Sequence, residues 1–288
     1  PQVASVSQEG KITAVAAGEA EITTTVSLSS KIGKTFVTKV SVKEGEAIIP
    51  VSSVNLSPDK KALTLAIGKK ASFKAVVAPS DATEQKVTWE TSAPKVVSIS
   101  QPDKAGKVTV TAKKAGTAKI TAKAGGKTAA CTVTVVSLNQ TKLTLGKGEE
   151  FSLKVNGTKK NVSWNSSNKK AVSVKKGKVK ALKTGKKAVN ITAKVDGVTL
   201  TCKVTVKAAP KNIVLNAKKK DLEKGKTFQI KVKLPKNTAS SKITYKNSNK
   251  KIVSVDAKGK VKALKKGKAT ITVVTFNNKK ASVTFNVK

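Results

Sequence analysis

The chain repeats one sequence of landmarks at a spacing suited to tandem domains. An aromatic residue opens a run of small polar residues, a Val pair follows, and then come Gly-Lys-Val and Gly-x-Ala-x-Ile-Thr. In one copy Trp164 leads to Val172 and Val174, followed by Gly177-Lys178-Val179. In the next, Tyr245 leads to Val253 and Val255, followed by Gly259-Lys260-Val261. An earlier copy runs from Trp89 through Val96, Val97 and Ile99 to Gly106-Lys107-Val108. The aromatic positions lie 75 and 81 residues apart. A period of that size is long enough for each copy to hold its own core. Duplicated modules usually make a spacer or a multivalent surface, not the frame of one catalytic pocket.

Within a copy the apolar residues alternate. Leu143 and Leu145, Phe151 and Leu153, Val172 and Val174, Val179 and Ala181, Val189 and Ile191, and Leu200 through Val206 each follow a period of two. That period places one face inward and one outward. About seven short strands in 70–90 residues predict a two-sheet sandwich with Greek-key connections. The fold class expected is therefore all-β, with tandem immunoglobulin-like β-sandwich domains in an elongated rod. The divisions expected are 1–48, 49–136, 137–207 and 208–288. Short joints such as Val135-Val136-Ser137-Leu138, and joints stiffened by Pro50 or Pro210, limit hinge freedom.

The last hairpin of each copy carries Gly125-Gly126, Asp196-Gly197 or Asn277-Asn278, pairs suited to the positive φ angles of a two-residue type I′ turn. Five residues beyond stand Cys131, Cys202 and Val283. A position that takes Cys or Val is a small apolar core site, so both thiols are expected free and buried. Each Cys lacks a His or second Cys in its own copy, which argues against a metal site.

Residues 1–48 hold only the second half of a copy. Val3 and Val6 match the Val pair, Gly10-Lys11-Ile12 matches Gly-Lys-Val, and Gly18-Glu19-Ala20-Glu21-Ile22 matches the glycine run. Pro1 opens in mid-copy, as in a segment cut from a longer polypeptide. Strand donation by another chain would also complete such a half-module.

Of the 288 residues, 58 are basic and 16 acidic, and every basic residue is Lys. The four segments carry net charges of 0, +9, +14 and +19, rising toward the C-terminus. Such a field attracts polyanions, although lysines on strand faces also keep an all-β protein soluble and blunt its edges. The candidate polyanion contacts are Lys178, Lys180, Lys183, Lys186 and Lys187 in the third copy, and Lys260, Lys262, Lys265, Lys266 and Lys268 in the fourth. Lysine offers a hydrated point charge without arginine's bidentate fork. It suits diffuse contact with phosphate or carboxylate polymers better than base readout, and stacking aromatics are not interleaved. No specific nucleic-acid partner is expected.

Catalytic chemistry lacks its usual residues. There is no His, and acids stand singly or at turns. Glu149 and Glu150 are adjacent in a strand register and point to opposite faces, so they are no cooperating dyad. No enzyme activity, cofactor or metal is expected. Trp89, Trp164 and Tyr245 share one position and are expected as core plugs between the sheets, whereas Phe276 beside a hairpin turn is expected exposed. Buried acids that would promote Lys–Asn isopeptide bonds are not apparent. No stretch reaches the roughly 18 apolar residues of a membrane span.

The second copy carries Val54-Asn-Leu56-Ser-Pro58, Leu63-Thr-Leu65, Val87-Thr-Trp89 and Gly116-Thr-Ala-Lys-Ile120-Thr. In these landmarks it resembles the bacterial Ig-like domain, group 2, and the later copies keep their order. The resemblance implies a secreted or surface-anchored bacterial protein: an adhesin, a wall-attached protein or the stalk of a polysaccharide-degrading enzyme. It implies no catalytic residue. Tyr245 in place of Trp and the lysine load depart from the usual pattern. The expected role is a non-catalytic spacer, presenting stalk or adhesion module outside the cell. The alternatives are attachment to an anionic wall polymer through lysine faces, or a stalk on a carbohydrate-active enzyme. An unidentified surface receptor is the remaining partner class.

Overall fold

The structure, a computed structural model, describes residues 3–29, 32–45 and 47–288. Pro1, where the sequence opens in mid-copy, lies outside them. Every regular element among the described residues is a β-strand. No helix there is long and apolar enough to cross a membrane. The chain forms two compact units: residues up to Ser53 with Val77–Lys86, and Val54–Val76 with Val87–Lys288.

In the first unit, β1 (Ala4–Val6) pairs antiparallel with β2 (Ile12–Ala14). Next, β3 (Gly18–Ser29) and β4 (Ile32–Val42) make a long antiparallel hairpin that starts at Gly18 opposite Val42. Val26, Phe36 and Val37 of that hairpin are exposed.

The second copy contributes β5 (Ser53–Ser57), β6 (Ala62–Ala66), β7 (Lys70–Ala78), β8 (Thr88–Thr91), β9 (Val97–Ile99), β10 (Lys107–Ala112), β11 (Gly116–Ala124) and β12 (Lys127–Leu138). One sheet has the order β5-β7-β10-β9. In the other, β11 lies between β8 and β12, and β6 joins β12 in parallel. Alternation sets the layers: Val108 and Val110 of β10, and Ile120, Ala122, Cys131 and Val133 of β11 and β12, are buried.

The third copy adds β13 (Lys142–Gly146), β14 (Glu150–Ser152), β15 (Val155–Asn156), β16 (Ser163–Ser166), β17 (Val172–Lys175), β18 (Lys178–Ala181), β19 (Val189–Val195) and β20 (Val198–Lys207). Its sheets run β13-β20-β19-β16 and β14-β18-β17. The fourth adds β21 (Val214–Leu215), β22 (Lys219–Leu222), β23 (Thr227–Gln229), β24 (Val232–Lys233), β25 (Ile243–Asn247), β26 (Val253–Val255), β27 (Lys260–Ala263), β28 (Gly267–Thr275) and β29 (Lys280–Val287). Its sheets run β22-β29-β28-β25 and β23-β27-β26, the same arrangement. Each pair of sheets encloses an apolar core, centred on Ile191, Cys202 and Val179 in one copy and on Ile271, Val283 and Val261 in the other.

Both thiols are free and buried, as the register requires. Cys131 faces Ile120 and Cys202 faces Ile191, while Val283 faces Ile271. The turns differ from expectation in one copy. Gly125-Gly126 and Asp196-Gly197 have the paired positive φ of a two-residue turn. In the last copy only Asn278 of the pair does, at φ 61°. There the Asn278 N–H bonds the Thr275 carbonyl and the Thr275 N–H bonds the Lys279 carbonyl, closing a three-residue loop. The extra loop residue still leaves Val283 opposite Ile271.

The repeated ring position is not the central core plug expected. Trp164 and Tyr245 are half-buried on the edge strands β16 and β25, packed against the core from the side. Trp89 is likewise half-buried on β8. An indole on an edge strand closes the gap between two sheets without entering the centre.

Candidate functional site

Two features stand out from the ordinary strand surface: lysine pairs on the smaller sheets, and the joints between copies. On β18, Val179 and Ala181 point into the core, so Lys178 and Lys180 point outward. The same alternation on β27 turns Lys260 and Lys262 outward beside buried Val261 and Ala263. Residues two apart on a strand stand about 7 Å from each other. Lys183, Lys186 and Lys187 lie in the connection 182–188 between the two sheets, and Lys265 and Lys266 in the shorter connection 264–266. Lys268 belongs to β28, so it flanks the larger sheet, opposite Asn286. All ten candidates are exposed, but the fold brings only the β18 pair and the β27 pair together on one face each.

The two pairs differ in what faces them. Across β18, Glu150 of β14 stands opposite Lys180, and Ser152 opposite Lys178. The Glu150 carboxylate takes Lys178 Nζ at 2.7 Å and Lys180 Nζ at 3.5 Å. The hydrogen bond from Lys178 holds the Glu150 carboxyl below its ordinary value, with Lys180 adding to it. In the fourth copy Thr227 of β23 occupies that register, opposite Lys262, and Gln229 faces Lys260. Asp256 closes the turn at the far end, where its carboxylate accepts the backbone N–H groups of Lys258 and Lys260 at 2.8 and 2.9 Å. Those bonds hold the Asp256 carboxyl below its ordinary value, the bond from Lys260 first.

The joint between second and third copies is a continuous strand. β12 passes from its own sheet straight into pairing with β15, Ser137 opposite Asn156 and Leu138 opposite Val155. Val136 and Leu138 enter the third core. Asp196, in the third copy's hairpin turn, accepts Thr64 Oγ1 and Lys160 Nζ, both at 2.9 Å.

At the joint between third and fourth copies, Glu149 is only 1% exposed. Its carboxylate accepts the N–H of Gly146 at 2.8 Å, the N–H and Oγ of Ser241 at 2.8 Å each, and the N–H of Lys242 at 2.9 Å. Ala239 N–H bonds the Ala208 carbonyl at 3.0 Å, and Asn277 Nδ2 bonds the Pro210 carbonyl at 2.8 Å. Phe276, expected exposed, is half-buried and packs against Gly146, where a methyl group would lie 2.5 Å from its Cε1. A buried acid is thus present after all, and its donors are backbone groups and a hydroxyl. The repeat pattern gave no sign of Glu149 or Gly146, because their partners lie in the next copy.

These features offer ion pairing and mechanical coupling. Among the described residues no three His, Cys, Asp or Glu side chains cluster as metal ligands. The open cleft at the first joint is lined by Thr117, Thr134, Gly157, Thr158, Lys159 and Lys160, a hydroxyl and ammonium lining with no acid–base pair.

Paired sheets enclosing one core per copy, with the last hairpin flanked by first-half strands, define tandem immunoglobulin-like sandwich domains. Residues 50–133 and 209–285, more than half the chain, match the model of the bacterial Ig-like domain (group 2), and the chain belongs to that family. The chain is 33% identical over 164 residues to an uncharacterized protein of Clostridium acetobutylicum, covering 54% of this chain and 17% of that protein. It is 44% identical over 66 residues to lacto-N-biosidase of Bifidobacterium bifidum, 23% of this chain and 6% of the relative. It is 47% identical over 55 residues to intimin of Citrobacter freundii, 19% of this chain and 6% of the relative. The chain thus matches less than a fifth of the length of each of these relatives.

Proposed function

We propose that this chain is a non-catalytic spacer and presenting stalk of a bacterial surface or secreted protein, working outside the cell. The observation that carries the proposal is how the third copy is joined on both sides: β12 runs through one joint, and buried Glu149 ties the other. Couplings of that kind hold neighbouring sandwiches in register, which a spacer needs and a lone binding domain does not. The family and the likeness to intimin support the location. The test is to replace residues 137–207 in the parent protein by an unrelated sandwich of equal length. A spacer keeps surface display and whatever binding its neighbours perform; loss of that binding with display intact would sink the proposal.

The match to lacto-N-biosidase favours a second version, a stalk on a carbohydrate-active enzyme. In that case removing this chain from the parent lowers turnover of anchored polymeric substrate and leaves turnover of a small soluble glycoside unchanged. An equal loss on both substrates counts against it.

A further inference from the structure

The β14-β18-β17 and β23-β27-β26 sheets are the same face in two copies, with Thr227 in place of Glu150, Gln229 in place of Ser152 and Asp256 beside the first lysine where the third copy has Lys175. Glu150 stands where the fourth copy has Thr227, each opposite the second lysine of its pair. In the third copy the carboxylate satisfies both ammonium groups. In the fourth, neither Lys260 Nζ nor Lys262 Nζ has an ion-pair partner within 4 Å among the described residues. Asp256 accepts the backbone N–H groups of Lys258 and Lys260 and acts on the Lys260 charge only from a distance, and Lys262 has no carboxylate opposite it. The neighbours are Thr227 and Ser254, both exposed and uncharged, and Gln229, whose Nε2 already donates to the Ile230 and Lys258 carbonyls. The second copy lacks the pair, since Thr109 replaces its second lysine opposite Ser72.

We propose that the outer face of β23-β27-β26 is a binding face for a linear anionic polysaccharide, held by Lys260 and Lys262 with hydroxyl contacts from Thr227 and Ser254. Two ammonium groups about 7 Å apart along a strand contact successive charges of an extended polymer. Lysine as a hydrated point charge accepts carboxylate or phosphate without fixed geometry. The face has no exposed ring on which a base could stack, so a nucleic acid gains nothing there beyond its charge. On the third copy's face the same polymer must compete with Glu150 for Lys178 and Lys180, which leaves Lys175 as its unpaired lysine among the described residues.

The experiment measures binding of the full chain to polygalacturonate and to a phosphate-bearing glycan polymer at low and moderate salt, with a single-stranded oligonucleotide of equal charge as a third probe. Thr227→Glu places a carboxylate opposite Lys262, as Glu150 stands opposite Lys180, and should weaken polysaccharide binding about fivefold or more, the scale of losing one basic contact with an anionic surface. Glu150→Thr frees the second pair and should strengthen it. Ser282→Glu, the same charge change on the larger sheet of the same copy, should have little effect. Circular dichroism and melting confirm that each variant is folded. Equal weakening by Thr227→Glu and Ser282→Glu means that only bulk charge acts, and overturns the proposal. So does oligonucleotide binding with the same affinity and the same response to Thr227→Glu, or polysaccharide binding that salt does not weaken.

Discussion

Glu149 and Ser241 are 92 residues apart in sequence, yet one carboxylate oxygen accepts both the backbone N–H and the hydroxyl of the serine at 2.8 Å. The acid belongs to the third copy and the serine to the fourth, and the carboxylate is buried. A buried anion without a lysine partner is tolerated because four donor groups converge on it.

Glu149→Ala leaves those donors facing an apolar methyl, and buried donors without acceptors cost about 1–3 kcal/mol each unless water enters. A net loss of about 3 kcal/mol is expected at this joint. Glu149→Gln is not conservative, because its amide must turn N–H groups toward backbone N–H donors. Thermal unfolding should show the fourth copy melting ahead of the third in Glu149→Ala, with faster hydrogen exchange at Ser241 and Lys242. An unchanged single transition with unchanged exchange would show that the carboxylate does not hold the joint.

Gly116 begins β11 at φ +151°, and a methyl there would lie 3.1 Å from Val96 Cγ2. The contact recurs as Gly18 with Val3 and Gly267 with Ile252. In these three copies the glycine that opens the run therefore meets a branched residue, Val96, Val3 or Ile252, that packs on a backbone with no side chain; the third copy has Ala171 at that place and its Gly185 makes no such contact. Gly116→Ala should cost about 1–3 kcal/mol, from the backbone conformation and the crowding together. Gly126→Ala, also at positive φ but with open space around it, should cost less. Chemical denaturation of both variants checks the order; equal losses would leave the Val96 contact with no share.

Much of this arrangement is legible in the sequence. Alternation in β18, β19 and β20 marks their inward faces, and the register of Cys131, Cys202 and Val283 follows from counting past the hairpin. What repeats is readable because each copy supplies the same local contact. The joints were not readable in that way. Glu149 meets Ser241 and Gly146 meets Phe276 across copies, and no period within one copy encodes a contact with the next. The closing of Lys178 and Lys180 by Glu150 was missed for a related reason. It needs the β14–β18 register, which neither strand's own alternation specifies. Asn277-Asn278 failed as a two-residue turn because the Thr275 hydroxyl takes the Lys279 N–H at 3.0 Å and stabilises a longer loop.

The thiols offer a direct check of the cores. Burial pushes the Cys202 thiol up to about 11, and burial raises Cys131 as well, against a small opposing pull from Lys60. A thiol at about 11 is almost wholly protonated at pH 8, and the thiolate is the reacting form. Ellman's reagent at pH 8 should therefore find no reactive thiol in the native chain and two after denaturation. Rapid reaction of either native thiol would place that position outside the core.

Asp196 makes the joint between second and third copies sensitive to acid. The hydrogen bond from Lys160 holds its carboxyl below the ordinary 3.8, and the bond from Thr64 adds to it. A depressed folded-state value means that the stabilisation is present above 3.8 and is lost as pH falls through the folded value. Two measurements follow. Carboxyl NMR should place the Asp196 midpoint below 3.8, and Lys160→Ala should raise it more than Thr64→Val does. The melting-temperature difference between the native chain and Asp196→Asn should be constant near neutral pH and shrink below 3.8, since the native carboxyl then becomes neutral too. A difference that stays constant down to pH 2 would show that Asp196 acts through shape alone, and that its charge does not help to hold Thr64 and Lys160 at this joint.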